Sequence, residues 1–222
     1  MEYKEFASRQ ELEEAGIALL ESAFCQGDPA SRAIMLTGGS TPFGIYQALG
    51  AKGVKADPGV HVYLSDERYV PLETGDSNYG RLRPMLDTVG VQHRSVVDCA
   101  VPPAISATRY EQHMQQLVTK QVPLSLGILG LGEDGHVASL FNREQIEQAK
   151  GHLAVAVLRP DGMTGISLTP EMLCQIERLI FWVCGPGKAD AVDKLLHHPS
   201  DIPAGVALAG ARDVAVWYSP QD

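Results

Sequence analysis

Three segments of this chain carry side chains that can bind a ligand or move a proton. The first is Thr37-Gly38-Gly39-Ser40-Thr41-Pro42, the second begins at Asp66, and the third contains Asp134 and His136. Each follows a short apolar run that predicts a buried strand. In open α/β sheets, ligands collect beyond the carboxyl ends of the strands, so these segments are where a ligand is expected.

The first segment has the composition of a phosphate-binding turn. Its glycines let the backbone approach a ligand, and the hydroxyls of Ser40 and Thr41, with the free N–H groups of a helix start, can hold an anion. A purely structural turn is the alternative, with Thr41 as the N-cap and Pro42 at the first helical position. That alternative does not explain Gly38, Gly39 and Ser40, so the sequence favours phosphate binding.

The second segment, Ser65-Asp66-Glu67-Arg68, closes a strand with two acids and a guanidinium. Arg68 can clamp a phosphate or a carboxylate, and Asp66 can hold sugar hydroxyls or act as a base. The alternative is a solvated loop in which Glu67 and Arg68 form an ion pair. The segment alone favours neither interpretation.

The third segment, Gly130-Leu131-Gly132-Glu133-Asp134-Gly135-His136, contains the dinucleotide pattern G-x-G-x-x-G. No acidic residue ends a strand about 20 residues further on, so the dinucleotide interpretation is weak. We expect His136 to lie at a helix N-terminus, where the helix dipole disfavours the charged imidazole and leaves a neutral base. A histidine that only caps the turn is the alternative, but Asp134 beside it favours catalysis.

A lysine near the end of the chain indicates an anionic ligand. Lys188 falls in the first turn of the helix predicted after the strand at 178–184. The N-terminus of a helix carries a partial positive charge, so a cation there is unfavourable unless an anion lies nearby. Lys188 is therefore a candidate anion-binding residue.

The composition is that of an ordinary globular protein with an acidic surface. Its 222 residues are 45% hydrophobic and carry a formal net charge of -9, the wrong sign for neutralising the phosphates of a nucleic acid. The four cysteines form no CxxC pair, and no apolar run approaches the roughly 18 residues that span a bilayer. The sequence therefore predicts a cytoplasmic protein that binds neither nucleic acid nor membrane.

The elements that must position these segments alternate between strands and helices. Ser8 and Glu11 have the capping-box spacing and predict a first helix that stops at Gly27, and a second helix is expected over 42–49. Strands are predicted at 33–37, 61–64, 95–98, 124–129, 153–158, 178–184 and 214–217. This alternation predicts a single α/β domain over residues 1–222, with a mostly parallel sheet.

Taken together, the segments resemble those of the 6-phosphogluconolactonases. The blocks at 38–42, 66–71 with 76–79, and 130–141 stand in the order and spacing of that family, and the similarity extends to Gly187-Lys188-Ala189. The resemblance implies a Rossmann-like sheet with helices on both faces. It also implies hydrolysis of 6-phospho-D-glucono-1,5-lactone to 6-phosphogluconate, in the oxidative pentose phosphate pathway, without metal or organic cofactor. A monomer or a small homo-oligomer is expected.

The resemblance also implies roles for individual residues. His136 would be the base that activates water, with Asp134 beside it. The substrate and its phosphate would be held by Gly39, Ser40, Thr41, Asp66, Arg68 and Lys188. The chain departs from the family at Gly165, where an arginine usually opens the segment R-[IV]-[ST]-L-T. Arg159, six residues upstream, is a candidate to replace that arginine.

Two further functions remain open at this point. Amino-sugar phosphate deaminases share the same blocks, but they look to have a glutamate five residues after the histidine, where this chain has Phe141. A sugar-phosphate-binding or regulatory protein that has lost catalysis is the second alternative. The presence of both Asp134 and His136 argues against it.

Overall fold

The computed structural model describes residues 1–26 and 30–221. Its ten strands are β1 (Glu2–Glu5), β2 (Arg32–Leu36), β3 (Val60–Leu64), β4 (Asp66–Arg68), β5 (Gln92–His93), β6 (Leu124–Leu129), β7 (Ala154–Leu158), β8 (Thr164–Leu168), β9 (Arg178–Cys184) and β10 (Val214–Ser219). Its eight α-helices are α1 (Arg9–Phe24), α2 (Ser40–Ala51), α3 (Asn78–Val89), α4 (Pro103–Thr119), α5 (Arg143–Gln148), α6 (Pro170–Leu173), α7 (Ala189–His197) and α8 (Pro203–Ala207). These counts refer to the described residues.

The main sheet has seven strands in the order β1-β10-β9-β6-β2-β3-β5, and all of its neighbouring strands run parallel. Every residue of β2 and of β10 is buried, as expected for strands covered on both faces. The prediction of an α/β fold with a mostly parallel sheet is therefore confirmed.

The strand order places a topological switch point between β2 and β6. From β2 the chain continues outward to β3, whereas from β6 it continues in the opposite direction to β9 and β10. Ligands of open α/β sheets bind in the crevice outside the carboxyl ends of the strands at such a point. The segments beginning at Gly38 and at Gly130 follow these two strand ends.

The predicted strand at 95–98 is wrong. The edge strand β5 lies earlier, at Gln92–His93, and residues 95–98 form an irregular loop. Val96 and Val97 are buried without pairing in a sheet, so their apolar character imitates a strand. The Ser95 side chain bonds to the backbone of Val97, and Asp98 N donates to Ser106 Oγ, which satisfies polar groups that a sheet would otherwise pair.

The predicted strand at 153–158 exists as β7, but it does not belong to the parallel sheet. It pairs antiparallel with β8, which pairs antiparallel with β4, and the three form a second small sheet in the order β4-β8-β7. The sequence analysis did not predict this sheet. It matters for function because its strands carry Asp66, Arg68 and Gly165.

The two predicted helix starts near the amino terminus have different outcomes. Ser8 caps α1 as predicted, because its hydroxyl accepts a hydrogen bond from Glu11 N. The predicted stop at Gly27 lies outside the described residues. Helix α2 begins at Ser40 with Gly39 as its N-cap, so Thr41 is the second helical residue and not the cap. The helix also continues through Gly50 to Ala51.

Candidate functional site

Two adjoining cavities lie at the switch point between β2 and β6. The larger, of about 180 Å³, is lined by most of the predicted site residues: Gly39, Asp66, Arg68, His136 and Lys188. The smaller, of about 90 Å³, is lined by Gly39, Ser40, Thr41 and Lys188. Asp134 lies behind His136, outside both. The structure thus brings all eight predicted site residues into one region, with the glycine turn at one end.

Gly38 and Gly39 are required by the shape of this turn. Gly39 has φ of +114°, a conformation that side-chain-bearing residues rarely adopt. A Cβ on Gly38 would come within 2.0 Å of Asn78 Oδ1, so only glycine lets the Asn78 side chain reach the cavity wall. The free backbone N–H groups at the start of α2 face the same end of the site, which suits an anion.

His136 is oriented by Asp134. Its Nδ1 lies 2.5 Å from Asp134 Oδ1, which also accepts the His136 backbone N–H at 3.1 Å. Partial burial acts to raise the pKa of Asp134, but the hydrogen bonds and charge of His136 outweigh it and hold that pKa below its usual value. An ionised Asp134 accepts the hydrogen on Nδ1, so Nε2 is the ring nitrogen that can act as a base.

His136 does not lie at a helix N-terminus, which corrects the prediction. Residues 131–141 form turns, and the next helix, α5, begins only at Arg143. The prediction that a helix dipole disfavours the charged imidazole therefore does not apply. Its position comes from Asp134 and from Phe141, whose ring centroid lies 4.4 Å from that of His136.

Two glycines of the G-x-G-x-x-G pattern are required by packing, and one of them, Gly132, leaves the space that His136 occupies. A Cβ on Gly132 would lie 2.0 Å from His136 Nδ1 and 2.3 Å from Asp134 Oδ1, and one on Gly135 would lie 2.6 Å from Ile202 Cβ. Gly135 also has φ of +78°. Two of the three glycines therefore have a packing explanation, which weakens the dinucleotide interpretation further.

Asp66 is buried within a network of hydroxyl groups. Its Oδ1 accepts a hydrogen bond from Ser65 Oγ at 2.8 Å, and its Oδ2 accepts one from Ser139 Oγ at 2.7 Å. Ser139 Oγ in turn accepts from Arg159 Nη1 at 3.0 Å. The network joins the ends of β3 and β7 to the turn after His136, and it fixes the side wall of the larger cavity.

Glu67 does not form the solvated ion pair with Arg68 that the sequence analysis considered. It is fully buried, and its carboxylate accepts hydrogen bonds from the backbone N–H groups of Arg68, Asn78 and Tyr79 and from Ser77 Oγ, at 2.6–3.0 Å. Burial raises the pKa of Glu67 although these four bonds act to lower it. The side chain joins β4 to the start of α3, and so holds Arg68 and Asn78 in place.

We expect Glu67→Ala to destabilise the fold strongly. The substitution leaves three backbone donors and the Ser77 hydroxyl without their acceptor, and bonds to a charged group are worth about 1.5–3 kcal/mol each. The loss should reach at least about 3 kcal/mol and lower Tm by about 6 °C or more, measured by thermal unfolding. Glu73→Ala, at an exposed neighbouring acid, is the control. Equal Tm values for the two variants would contradict the assigned role.

Arg159 occupies the space beside Gly165. A Cβ at position 165 would lie 2.9 Å from Ser139 Oγ and 3.4 Å from Arg159 Cδ, so a side chain there would displace both. Arg159 is only 11% exposed, pairs with Asp161, and lines the larger cavity. Its guanidinium lies 5.1 Å from the Phe141 ring centroid.

Two buried polar atoms of the residues that line the larger cavity have no hydrogen-bond partner within the described chain. These are Arg68 Nε and Asn78 Oδ1. Lys188, in turn, forms no ion pair with any described carboxylate, although it stands beside both cavities. Buried polar groups are nearly always paired, so unpaired ones in a cavity mark positions where a ligand's polar groups bind.

Comparison with known proteins identifies the family. The family of glucosamine-6-phosphate isomerases/6-phosphogluconolactonase matches residues 7–217. The chain belongs to this family. The 6-phosphogluconolactonase of Nostoc sp. is 35% identical over 178 residues, 76% of this chain and 72% of that protein. That of Haemophilus influenzae is 31% identical over 195 residues, 83% of each chain.

The fold agrees with the family assignment. The crystal structure of 6-phosphogluconolactonase from Thermotoga maritima superposes with a TM-score of 0.74 at 26% identity, and the match covers 98% of this chain and 97% of that one. Among the described residues, no helix is long and apolar enough to cross a membrane, and no three His, Cys, Asp or Glu side chains are grouped to hold a metal ion.

In this member of the glucosamine-6-phosphate isomerase/6-phosphogluconolactonase family, sequence reasoning missed one residue that lines the larger cavity, Asn78, and one that supports its wall, Ser139. Asn78 belongs to the block at 76–79, but its position in the sequence does not show that its side chain lines the larger cavity. Ser139 connects Asp66 to Arg159, and its contacts span 73 and 20 residues. The helical N-cap position of Ser77 signals the start of α3, and that signal places Asn78 in its first turn.

Proposed function

We propose that this chain hydrolyses 6-phospho-D-glucono-1,5-lactone to 6-phosphogluconate, and that His136 activates the water. The observation that carries the proposal is the His136–Asp134 pair at the edge of a cavity that also holds Arg68, Arg159 and Lys188. A base beside several cations suits the hydrolysis of an anionic ester. The 6-phosphogluconolactonases among the relatives support the same substrate.

The two cavities suggest how the substrate lies. The phosphate occupies the smaller cavity, where the turn Gly39-Ser40-Thr41 and Lys188 supply backbone N–H groups, hydroxyls and a cation. The lactone ring then lies in the larger cavity, between His136 and Arg68. Binding energy from the distant phosphate orients the carbonyl towards the base.

Asp66 and Asn78 meet the sugar hydroxyls in this arrangement. The unpartnered Asn78 Oδ1 accepts one hydroxyl hydrogen, which satisfies a buried acceptor. The Asp66 carboxylate retains acceptor capacity beyond its bonds to Ser65 and Ser139, because two oxygens offer about four lone-pair positions. Asp66 thus serves as a binding group, and His136 remains the base.

The reaction proceeds through a tetrahedral intermediate. His136 Nε2 takes a proton from water while the water oxygen bonds to the carbonyl carbon, and the carbonyl oxygen becomes an oxyanion that Arg68 stabilises. The imidazolium is stabilised by Asp134. The bond between this carbon and the ring oxygen then breaks, the ring oxygen receives the proton from His136, and the open-chain acid ionises.

Phe141 argues against the deaminase alternative. Its position is the one where the sequence analysis expects a ring-opening glutamate in those enzymes, and a phenyl ring transfers no proton. In the structure that ring packs against the imidazole of His136 and faces the guanidinium of Arg159. The aromatic side chain therefore packs against both the base and one cation of the proposed hydrolytic site.

The proposed activity is tested by lactone disappearance, with 6-phosphogluconolactone generated in the assay and the spontaneous rate subtracted. We expect wild-type protein to accelerate hydrolysis. A folded wild type that gives no acceleration, yet is thermally stabilised by 6-phosphogluconate, would instead establish a binding-only protein. Stabilisation by NAD(P) and not by the phosphosugar would support the dinucleotide interpretation.

We expect Lys188→Ala and Arg159→Ala each to raise KM about tenfold or more, because each removes a charged partner of the anionic substrate. The effect of Lys188→Ala on kcat should be smaller, since Lys188 contacts the phosphate, which is bound in both ground and transition states. Initial-rate kinetics of the two variants measure both parameters. Lys150→Ala, at an exposed lysine paired with Glu147, is the control. An unchanged KM in Lys188→Ala would refute its role.

We further propose that residues 1–222 act as one domain, because the site draws on residues from Gly39 to Lys188. Its small-molecule partner is the phosphosugar lactone, and no metal or organic cofactor takes part. A cytoplasmic location, a monomer or small homo-oligomer, and no nucleic-acid partner remain predictions from the sequence.

A further inference from the structure

A third cavity lies away from the proposed active site, beside the edge strand of the main sheet. Its volume is about 340 Å³, larger than either cavity at the switch point. Its walls come from β3, β5 and the carboxyl end of α4. The volume is within the range of small-molecule sites, about 300–1,000 Å³.

The lining of this edge cavity is basic, in a protein whose net charge is -9. Five of its residues are cationic or can become so: His61, His93, Arg94, His113 and Lys120. Within the described chain its lining contains no acidic side chain, and neither Arg94 nor Lys120 forms an ion pair. Cations gathered in a concave, partly enclosed site attract anions.

Two buried polar atoms of the lining residues have no hydrogen-bond partner in the described part of the chain. One is the hydroxyl of Tyr63, a residue only 3% exposed, and the other is Nδ1 of His113. His61 and Tyr63 are alternate residues of β3 and so lie on one face of that strand. A buried hydroxyl and a buried imidazole nitrogen without partners indicate a ligand that bonds to them.

We propose that the edge cavity binds the oxyanion group of a small phosphorylated metabolite. Arg94 supplies a planar fork suited to phosphate oxygens, and Lys120 supplies a second charge. The Tyr63 hydroxyl and the His113 imidazole complete the shell as donors. A metal ion is the other ligand that clustered histidines suggest, but in the described residues no three candidate ligands are grouped to hold one.

The pKa values of the histidines in this cavity should change when an anion binds. Burial lowers the pKa of His61 and His113, and the positive charge of Lys120 lowers both further, with Arg94 adding to the effect on His113. A bound anion opposes these positive charges, so it raises both pKa values. His93 also faces the cavity, but it is already bonded to Tyr79 and Asp87 of α3, so a smaller response is expected there.

The test is a phosphate titration followed by NMR of the histidine side chains. With inorganic phosphate and with pyrophosphate, we expect saturable shifts of the His61 and His113 resonances and a rise in both pKa values. Arg94→Ala with Lys120→Ala should weaken this binding about tenfold or more. Lys150→Ala with Arg212→Ala changes the net charge equally at exposed positions and should leave it intact.

The variant with Arg68→Ala and Lys188→Ala distinguishes anion binding in the edge cavity from anion binding at the proposed active site. The proposal requires that this variant keep the His61 and His113 shifts although it loses substrate binding. It is overturned if those shifts disappear, because the anion then binds at the switch point. It is also overturned if phosphate does not saturate, or if the charge-matched control loses binding equally, since either result means nonspecific attraction. The variant with Arg94→Ala and Lys120→Ala should hydrolyse the lactone at the wild-type rate, because neither residue lines the switch-point cavities. Loss of phosphate binding in the edge cavity is therefore distinguished from failure of the proposed reaction.

Discussion

His136→Ala should lose most of the enzymatic acceleration and keep the fold. A positioned general base contributes about 10²–10⁴-fold, and the lactone that remains unaccelerated still hydrolyses in water. The substitution removes the only imidazole that lines the switch-point cavities in the described structure. It also removes no deep packing, because the His136 side chain is 28% exposed. The rate of lactone disappearance, with the spontaneous rate subtracted, measures the loss.

A second His–Asp pair in the same chain provides a matched control. His197 Nδ1 lies 3.0 Å from Asp193 Oδ1, on an exposed turn of α7 outside both cavities. His197→Ala removes a similar hydrogen-bonded imidazole and should retain full activity. Full activity in a folded His136→Ala variant would refute the assignment, and equal losses in both variants would show a general effect of the substitution.

The local chemistry of this site was predictable from the sequence because it depends on neighbours in the chain. Asp134 and His136 are two residues apart, and the glycine turn follows directly from a buried strand. A strand followed by a turn therefore predicts that these residues lie at the carboxyl edge of a parallel sheet. The common orientation of parallel strands then brought distant segments together.

The features that the sequence did not predict depend on contacts distant in the chain. Glu67 looked like one of two charges at a strand end, and three of the four donors that compensate its burial lie ten to twelve residues later. The second sheet forms because β4 pairs with β8 about 100 residues further on, which no local periodicity reveals. The loop at 95–98 shows the converse, where buried valines have no strand to pair with.

The Gly132→Ala substitution should abolish most of the activity without unfolding the protein. The added methyl group would overlap His136 Nδ1 and Asp134 Oδ1, at 2.0 and 2.3 Å, so both side chains must move. They can swing towards solvent, since 28% and 55% of their side-chain surfaces are exposed, and the stability cost stays small. A displaced base slows the reaction strongly, because a shift of about 1 Å can lower the rate by about 10²-fold.

A double-mutant cycle shows whether the glycine acts through the histidine. In the His136→Ala background the methyl group has no imidazole to displace, so adding Gly132→Ala should reduce the rate little further. Gly75→Ala, where a Cβ meets nothing within 4 Å, controls for glycine replacement itself. If Gly132→Ala costs the same factor with and without His136, the glycine acts on something other than the imidazole, such as the backbone approach to the substrate. If the effects of the two substitutions on the rate are not additive, glycine is required at position 132 because the His136 ring occupies the space that a side chain would fill.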